Sequence, residues 1–255
     1  MPLHGHVGRL RDRGRDRRHP CPGRHGAVRR PALRFEAIIF DFDGVIVDSE
    51  VVANAALAEA LTALGHKVSA EQAIELYSGL RWSDCHRAIE AESGLEVDLP
   101  ALRESVDRLV TSRAAEMLAI EGIGPFLDAQ SHRLLAIASS SDRQWLDGSL
   151  GRLGLGHHFG DNVFSAAGIP RGKPHPDVYL MVAQALGLAP SQCLVIEDHP
   201  VGVAAGAAAG MTVIGLLAAG HIRPGHEERV RAAGARHVAL DYRQVAEILE
   251  ELEAA

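Results

Sequence analysis

Three aspartates, Asp41, Asp43 and Asp48, fall within eight residues of the stretch DFDGVIVDSE. Two further acids, Glu197 and Asp198, end the run CLVIED, and three serines, Ser139, Ser140 and Ser141, end RLLAIASSS. Each group follows an apolar run, which sets it at the tip of a buried strand rather than along a wet surface. Carboxylates gathered in one cleft repel one another and resist losing water, so they stay ionised together only beside a cation. A donor set made of oxygen suits Mg²⁺, which takes carboxylates and keeps waters or phosphate oxygens in its shell. A phosphate beside such an ion needs donors, and the Ser139 hydroxyl and Ser140 amide can supply them at a strand-to-helix turn. It also needs a fixed positive charge. The chain has two lysines, Lys67 and Lys173, and Lys173 stands in RGKPHPD between Gly172 and Pro174, which hold a tight loop.

Short strands are expected at residues 35–40, 133–139, 162–165, 193–198, 211–216 and 237–240, with helices at 142–153, 177–186, 201–209 and 243–252. Alternation of this kind predicts an α/β fold: a parallel sheet with helices on both faces, whose functional groups collect at the carboxyl ends of the strands. Ser141 is the best of the three serines to cap the helix that follows them. Residues 51–118 show no strand. They read as an all-helical unit, with helices at 51–64 (stopped by Gly65), from the capping box Ser69 to Gln72 on to Tyr77, at 83–92 and at 100–118. Asp48 then supports the hinge into that unit or caps its first helix.

With 255 residues and a hydrophobic fraction of 47%, the chain can bury a sizeable core, filled by aliphatic residues because aromatics make up only 4%. No apolar run approaches the roughly 18 residues of a membrane span. Cys21, Cys85 and Cys193 are scattered and odd in number, which suits a reducing cytoplasm better than a disulfide framework or a zinc site. The net charge of −7 is uneven: residues 1–34 carry ten arginines against Asp12 and Asp16, and the remainder is strongly acidic. The basic stretch lacks apolar periodicity and is rich in Gly and Pro, so residues 1–34 are expected to be a disordered extension. It is read as dispensable or as an upstream start, with a nucleic-acid arm as the alternative. The acidic body offers no footprint for a nucleic-acid backbone. His157 and His158 show no metal-ligand spacing and are expected at the surface.

Taken together, these stretches resemble the haloacid dehalogenase superfamily of phosphatases, in the group of β-phosphoglucomutase-like sugar-phosphate enzymes with a helical cap. DFDG at 41–44, the strand ending at Ser139, GKPHPD around Lys173 and IED at 196–198 come in the family's order, from about Phe35 to the last helix. The resemblance implies a Rossmann-like core at residues 35–50 and 119–255, with the cap at 51–118. It implies that Asp41 attacks phosphorus to form an aspartyl-phosphate and that Asp43 acts as general acid and then base. Mg²⁺ would be held by the Asp41 carboxylate, the Asp43 carbonyl and Asp198, with Glu197 bound directly or through water. Ser139, Ser140 and Lys173 would hold the phosphoryl group.

In the cap, Ser78, Gly79, Arg81 and Trp82 are the specificity candidates, with Trp82 either stacking on a sugar or anchoring the cap's own packing. His199 replaces the small hydroxyl residue of many relatives, either supporting the site or standing exposed. Dehalogenases of this family lack the second aspartate, and phosphonate cleavage needs a cap lysine near the hinge, where Lys67 does not lie. A mutase needs a His a few residues past the hinge, where this chain has Ala53, although Arg81 keeps that reading open. A protein that merely binds a phosphate metabolite would have a broken motif, and none is broken. The expectation is a cytoplasmic, Mg²⁺-dependent phosphatase acting on a small sugar or polyol phosphate, with no nucleic-acid or membrane partner and a monomer favoured.

Overall fold

The computed structural model describes residues 33–78, 82–94 and 96–255. Six strands, β1 (Ala37–Phe40), β2 (Leu134–Ser139), β3 (Val163–Ser165), β4 (Cys193–Glu197), β5 (Thr212–Leu216) and β6 (His237–Ala239), form one parallel sheet in the order β3-β2-β1-β4-β5-β6. All four residues of β1 are buried, as a central parallel strand covered on both faces requires. Its alternate side chains feed two different layers. Ile38 and Phe40 pack with α5 (Ile123–Ala129), α6 (Arg143–Leu153) and α10 (Tyr242–Ala254), whereas Ala37 and Ile39 pack with α7 (Asp177–Leu186), α8 (Pro200–Ala208) and α9 (His226–Ala232). The fold is therefore the expected α/β arrangement. Chain order reverses at β1, with β2 on one side and β4 on the other, and ligand clefts open at such switch points.

Between β1 and α5 the chain forms four helices: α1 (Glu50–Ala63), α2 (Ala70–Tyr77), α3 (Trp82–Ser93) and α4 (Leu99–Ser112). They enclose their own apolar cluster, including Ala56, Leu57, Leu61, Tyr77, Ile89, Leu102 and Val106. The capping box at Ser69 forms as expected, with Gln72 N donating to Ser69 Oγ and Ser69 N donating to Gln72 Oε1. The last of these helices differs from the expectation of 100–118. Asp98 caps it, accepting from Ala101 N at 3.1 Å, so it begins at Leu99, one residue before the expected start, and it stops at Ser112 before a short 3₁₀ turn, Ala114–Glu116. The reason is the return path to the core. Asp48 N donates to Leu118 O and Ile120 N to Ile46 O, both at 2.9 Å, so the residues around Leu118 serve as the second strand of the hinge.

Helices α5 and α9 were not expected. Each is seven residues long, too short for a periodic apolar pattern to stand out. Among the described residues no helix is long and apolar enough to cross a membrane. The basic stretch assigned to residues 1–34 lies, up to Ala32, outside the described residues.

Candidate active site

The ends of β1, β2 and β4 meet. Asp41 N donates to Ile196 O at 2.9 Å, carrying the β1–β4 ladder one residue past the strand and bringing Asp41 beside Glu197. The loop before α7 delivers Lys173, whose Nζ lies 2.7 Å from Asp41 Oδ1 and 2.7 Å from Glu197 Oε1. Glu197 also accepts from the Tyr179 hydroxyl at 3.1 Å and from His199 N at 3.0 Å. Each Glu197 oxygen is thus engaged. The Tyr179 ring faces the ammonium, 5.1 Å from ring centre to Nζ. Gly202 makes this possible: a Cβ there would fall 1.5 Å from Glu197 Oε1, so α8 passes over the carboxylate only with glycine at that position.

Asp43 is held by donors from three elements. Ser49 Oγ donates to Oδ1 at 2.6 Å, Ser141 Oγ to Oδ2 at 2.6 Å, and Trp145 Nε1 to Oδ1 at 3.2 Å. The next residue, Gly44, has φ +81°, and a Cβ on it would lie 1.9 Å from Asp198 Oδ2. The Asp198 carboxylate therefore rests against the backbone that follows Asp43.

The charges do not balance within the protein. Burial pushes the Asp41 carboxyl well above its usual range; Lys173 pulls it down, and Glu197 and Asp198 push it up again. Burial and the Glu197 charge likewise raise Asp198. Glu197 goes the other way: burial works against its charge, but Lys173 and His199 together hold its carboxyl below the ordinary range. Burial disfavours the Lys173 charge, yet Asp41 and Glu197 hold its pKa well above the ordinary lysine range. Burial also raises Asp43, against the pull of Ser141 and Ser49. One ammonium thus faces two buried carboxylates and a partly buried third, whose oxygens, from Glu197, Asp198 and Asp41, lie within 4.8 Å of one another. That donor set fits a hard divalent cation.

Ser139 is buried at the end of β2, where its Oγ accepts from Ser141 N at 3.0 Å and keeps its own proton to donate, while Ser140 is exposed beside it. Ser141 is not the helix cap. Asp142 takes the N-cap position of α6, and the Ser141 hydroxyl turns to Asp43, the more demanding acceptor. Asp48 does not cap α1 either; both of its oxygens accept from Gly220 N at 3.1 Å, tying the hinge to the loop after β5. His199 is the N-cap of α8, with Nδ1 accepting from Val201 N, and burial lowers its pKa to about 4.

The cap candidates do not converge as the strand ends do. Ser78 donates to Glu50 Oε2 at 2.7 Å, closing α2 onto the first turn of α1. Trp82 is half-buried against the cap's apolar cluster, with the Arg103 guanidinium 5.9 Å from its ring centre. Gly79 and Arg81 lie outside the described residues. His157 is exposed and His158 half-buried, and contrary to the expectation from spacing their nitrogens come within 4.8 Å of an oxygen of Asp128. Four side chains that matter here were not singled out from the sequence: Ser49, Trp145, Tyr179 and Arg103, which pairs with Asp142 across cap and core at 2.5 Å. A usable signal existed for Trp145, a costly aromatic on the helix that opens behind the serines of β2.

Comparison with known proteins agrees with this geometry. A sequence model of the haloacid dehalogenase-like hydrolases matches residues 38–216. The chain is 29% identical over 195 residues to a 6-phosphogluconate phosphatase of Escherichia coli, covering 75% of this chain and 86% of that one. It is 31% identical over 185 residues to a fructose-1-phosphate phosphatase of the same organism, covering 71% and 96%. The crystal structure of a haloacid dehalogenase-like protein from Agrobacterium tumefaciens superposes with a TM-score of 0.76 at 32% identity, covering 86% of this chain and 99% of that one. The four motifs, the parallel sheet with its helical cap and these likenesses agree, and the chain belongs to the haloacid dehalogenase-like hydrolases.

Proposed function

We propose that the protein hydrolyses a small phosphate monoester, of the sugar or polyol phosphate class, with Mg²⁺ as cofactor. The observation that carries this reading is the Asp41–Lys173–Glu197 array, with Asp43 poised beside it on a separate set of donors. Asp41 Oδ1 is engaged by Lys173, which orients the carboxylate so that Oδ2 attacks phosphorus as the ester bond breaks. Asp43 protonates the leaving oxygen, a task that suits a carboxyl raised by burial, and then takes a proton from the water that releases phosphate from Asp41. The Ser139 hydroxyl, the Ser140 amide and Lys173 hold the phosphoryl oxygens. Asp41, the Asp43 carbonyl and Asp198 would hold Mg²⁺, with Glu197 reaching it directly or through water. The ion supplies charge neutralisation that lets an anionic nucleophile meet an anionic substrate.

Residues 35–50 and 119–255 then act as the catalytic core and 51–118 as the cap that encloses the substrate. The substrate class is supported by relatives that act on 6-phosphogluconate and fructose 1-phosphate. Hydrolysis rather than mutase transfer is favoured by Ala53, which offers a methyl group on α1 where a mutase carries histidine. The test is a panel of sugar and polyol phosphates with Mg²⁺, read by phosphate release and product NMR. Free phosphate in step with substrate loss supports the reading. A phosphate isomer formed without free phosphate would replace it with the mutase.

A further inference from the structure

The loop between β5 and α9 carries two histidines, His221 and His226, that belong to none of the four motifs, and both are buried, at 2% and 4% exposure. They converge on Asp198 from one side. His226 is fixed in its tautomer: the Arg229 guanidinium donates to Nδ1 at 3.1 Å, so Nε2 carries the proton and donates to the Asp198 main-chain oxygen at 2.6 Å. His221 lies 5.7 Å from His226, ring centre to ring centre, and its Nε2 sits 3.2 Å from Asp198 Oδ2. Neither ring nitrogen of His221 has a well-aligned hydrogen bond among the described residues. A buried donor left unmatched is costly, so such a side chain persists where a partner engages it in the working state.

The surroundings hold this imidazole in place. On its inner side stands Gly44, where a Cβ would come within 3.0 Å of His221 Cε1 as well as colliding with Asp198 Oδ2. On its outer side, Gly220 N donates to both oxygens of Asp48, so the residue before His221 is pinned to the hinge. The acid, the glycine and the histidine lie against one another, with His221 buried among them.

We infer that His221 is a positioning residue for Asp198, its Nε2–H engaging Oδ2 when the carboxylate would hold the divalent cation beside Asp41 and Glu197, while His226 holds the main chain of the same residue. This inference rests on the metal reading of Asp198 given above. Ligands to a metal are oriented by outer hydrogen bonds, and losing one costs roughly 10- to 100-fold in metal affinity.

The test is direct Mn²⁺ binding to the full chain, read from the EPR signal of free Mn²⁺, with no turnover involved. Thermal melting accompanies each variant. His221→Leu fills the space without a donor and is expected to weaken Mn²⁺ binding roughly 10- to 100-fold. His221→Gln brings an amide N–H to the position of Nε2 and is expected to restore most of that loss. Should the leucine variant not fold, His221→Asn, too short to reach Oδ2, takes its place with the same expected loss. Wild-type affinity in the leucine or asparagine variant, with binding abolished in Asp198→Asn, would overturn the role of His221 alone. A loss as large in the glutamine variant as in the leucine variant would also overturn it, since packing and not the donor would then be responsible. Wild-type protein whose Mn²⁺ affinity is untouched by Asp198→Asn would bring down the metal reading itself, and the inference with it.

Discussion

At Gly44 a single hydrogen atom decides whether two motifs can share one site. With φ at +81° and Asp198 Oδ2 1.9 Å from a would-be Cβ, Gly44→Ala has to push the carboxylate away as well as strain the backbone. We predict a loss of about 1–3 kcal/mol in stability and a fall of roughly a hundredfold or more in phosphatase activity; a thermal melt and a phosphate-release assay check both. Asp43 makes a complementary prediction. Its three donors come from the hinge, the loop after β2 and α6, so Ser141→Ala should reduce kcat about tenfold while leaving the fold intact, and Trp145→Phe, which removes the longer bond, should cost less. At this scale the sequence was legible in which residues the strand ends gather, as with Asp41, Lys173, Glu197 and Asp198. It was illegible where a partner arrives from far along the chain. The local stretch marks Trp145 as a costly aromatic behind the serines of β2, but not which acid its indole meets.

Among the elements, α10 does more than close the sheet. Glu253, near its end, accepts from Arg34 N at 2.8 Å, from Phe35 N at 3.2 Å and from Arg133 Nη1 at 2.5 Å, tying the last helix to the approaches of β1 and β2. Burial works against the Glu253 charge, but these donors outweigh it and hold the carboxyl below its ordinary range. A depressed pKa of this kind contributes stability above the unfolded value, and that contribution is lost as pH falls through the folded one. Glu253→Gln should therefore lower stability by about 1–3 kcal/mol at neutral pH, and the gap to wild type should begin to narrow below about 4, the ordinary glutamate range, and vanish only once pH falls below the depressed folded value. Denaturant melts of both proteins at stepped pH measure it; a gap that stays constant with pH contradicts the assignment. The strands and longer helices were legible because apolar runs and capping signals are local. The end of α4 was not, because its last turn is dictated by hinge bonds to residues some seventy positions earlier.

Across the molecule, a site that gathers two buried carboxylates, a partly buried third and one lysine is costly to fold. Two consequences follow. Mg²⁺ should raise the melting temperature of the metal-free protein, since it binds the folded state alone. Asp198→Asn should melt higher than wild type without metal, because one buried repulsion is gone, and should lose the Mg²⁺-dependent rise. Differential scanning calorimetry with and without chelator separates these outcomes. The central claim, that Asp41 carries the phosphoryl group between substrate and water, is tested most directly by trapping. Borohydride added during turnover of a sugar phosphate with Mg²⁺ reduces an acyl phosphate, and peptide mass spectrometry locates the product. Homoserine is expected at position 41, formed only while substrate is being consumed and absent from Asp41→Asn. Phosphate released at an undiminished rate by Asp41→Asn, or a reduced carboxyl at any other position, would contradict it.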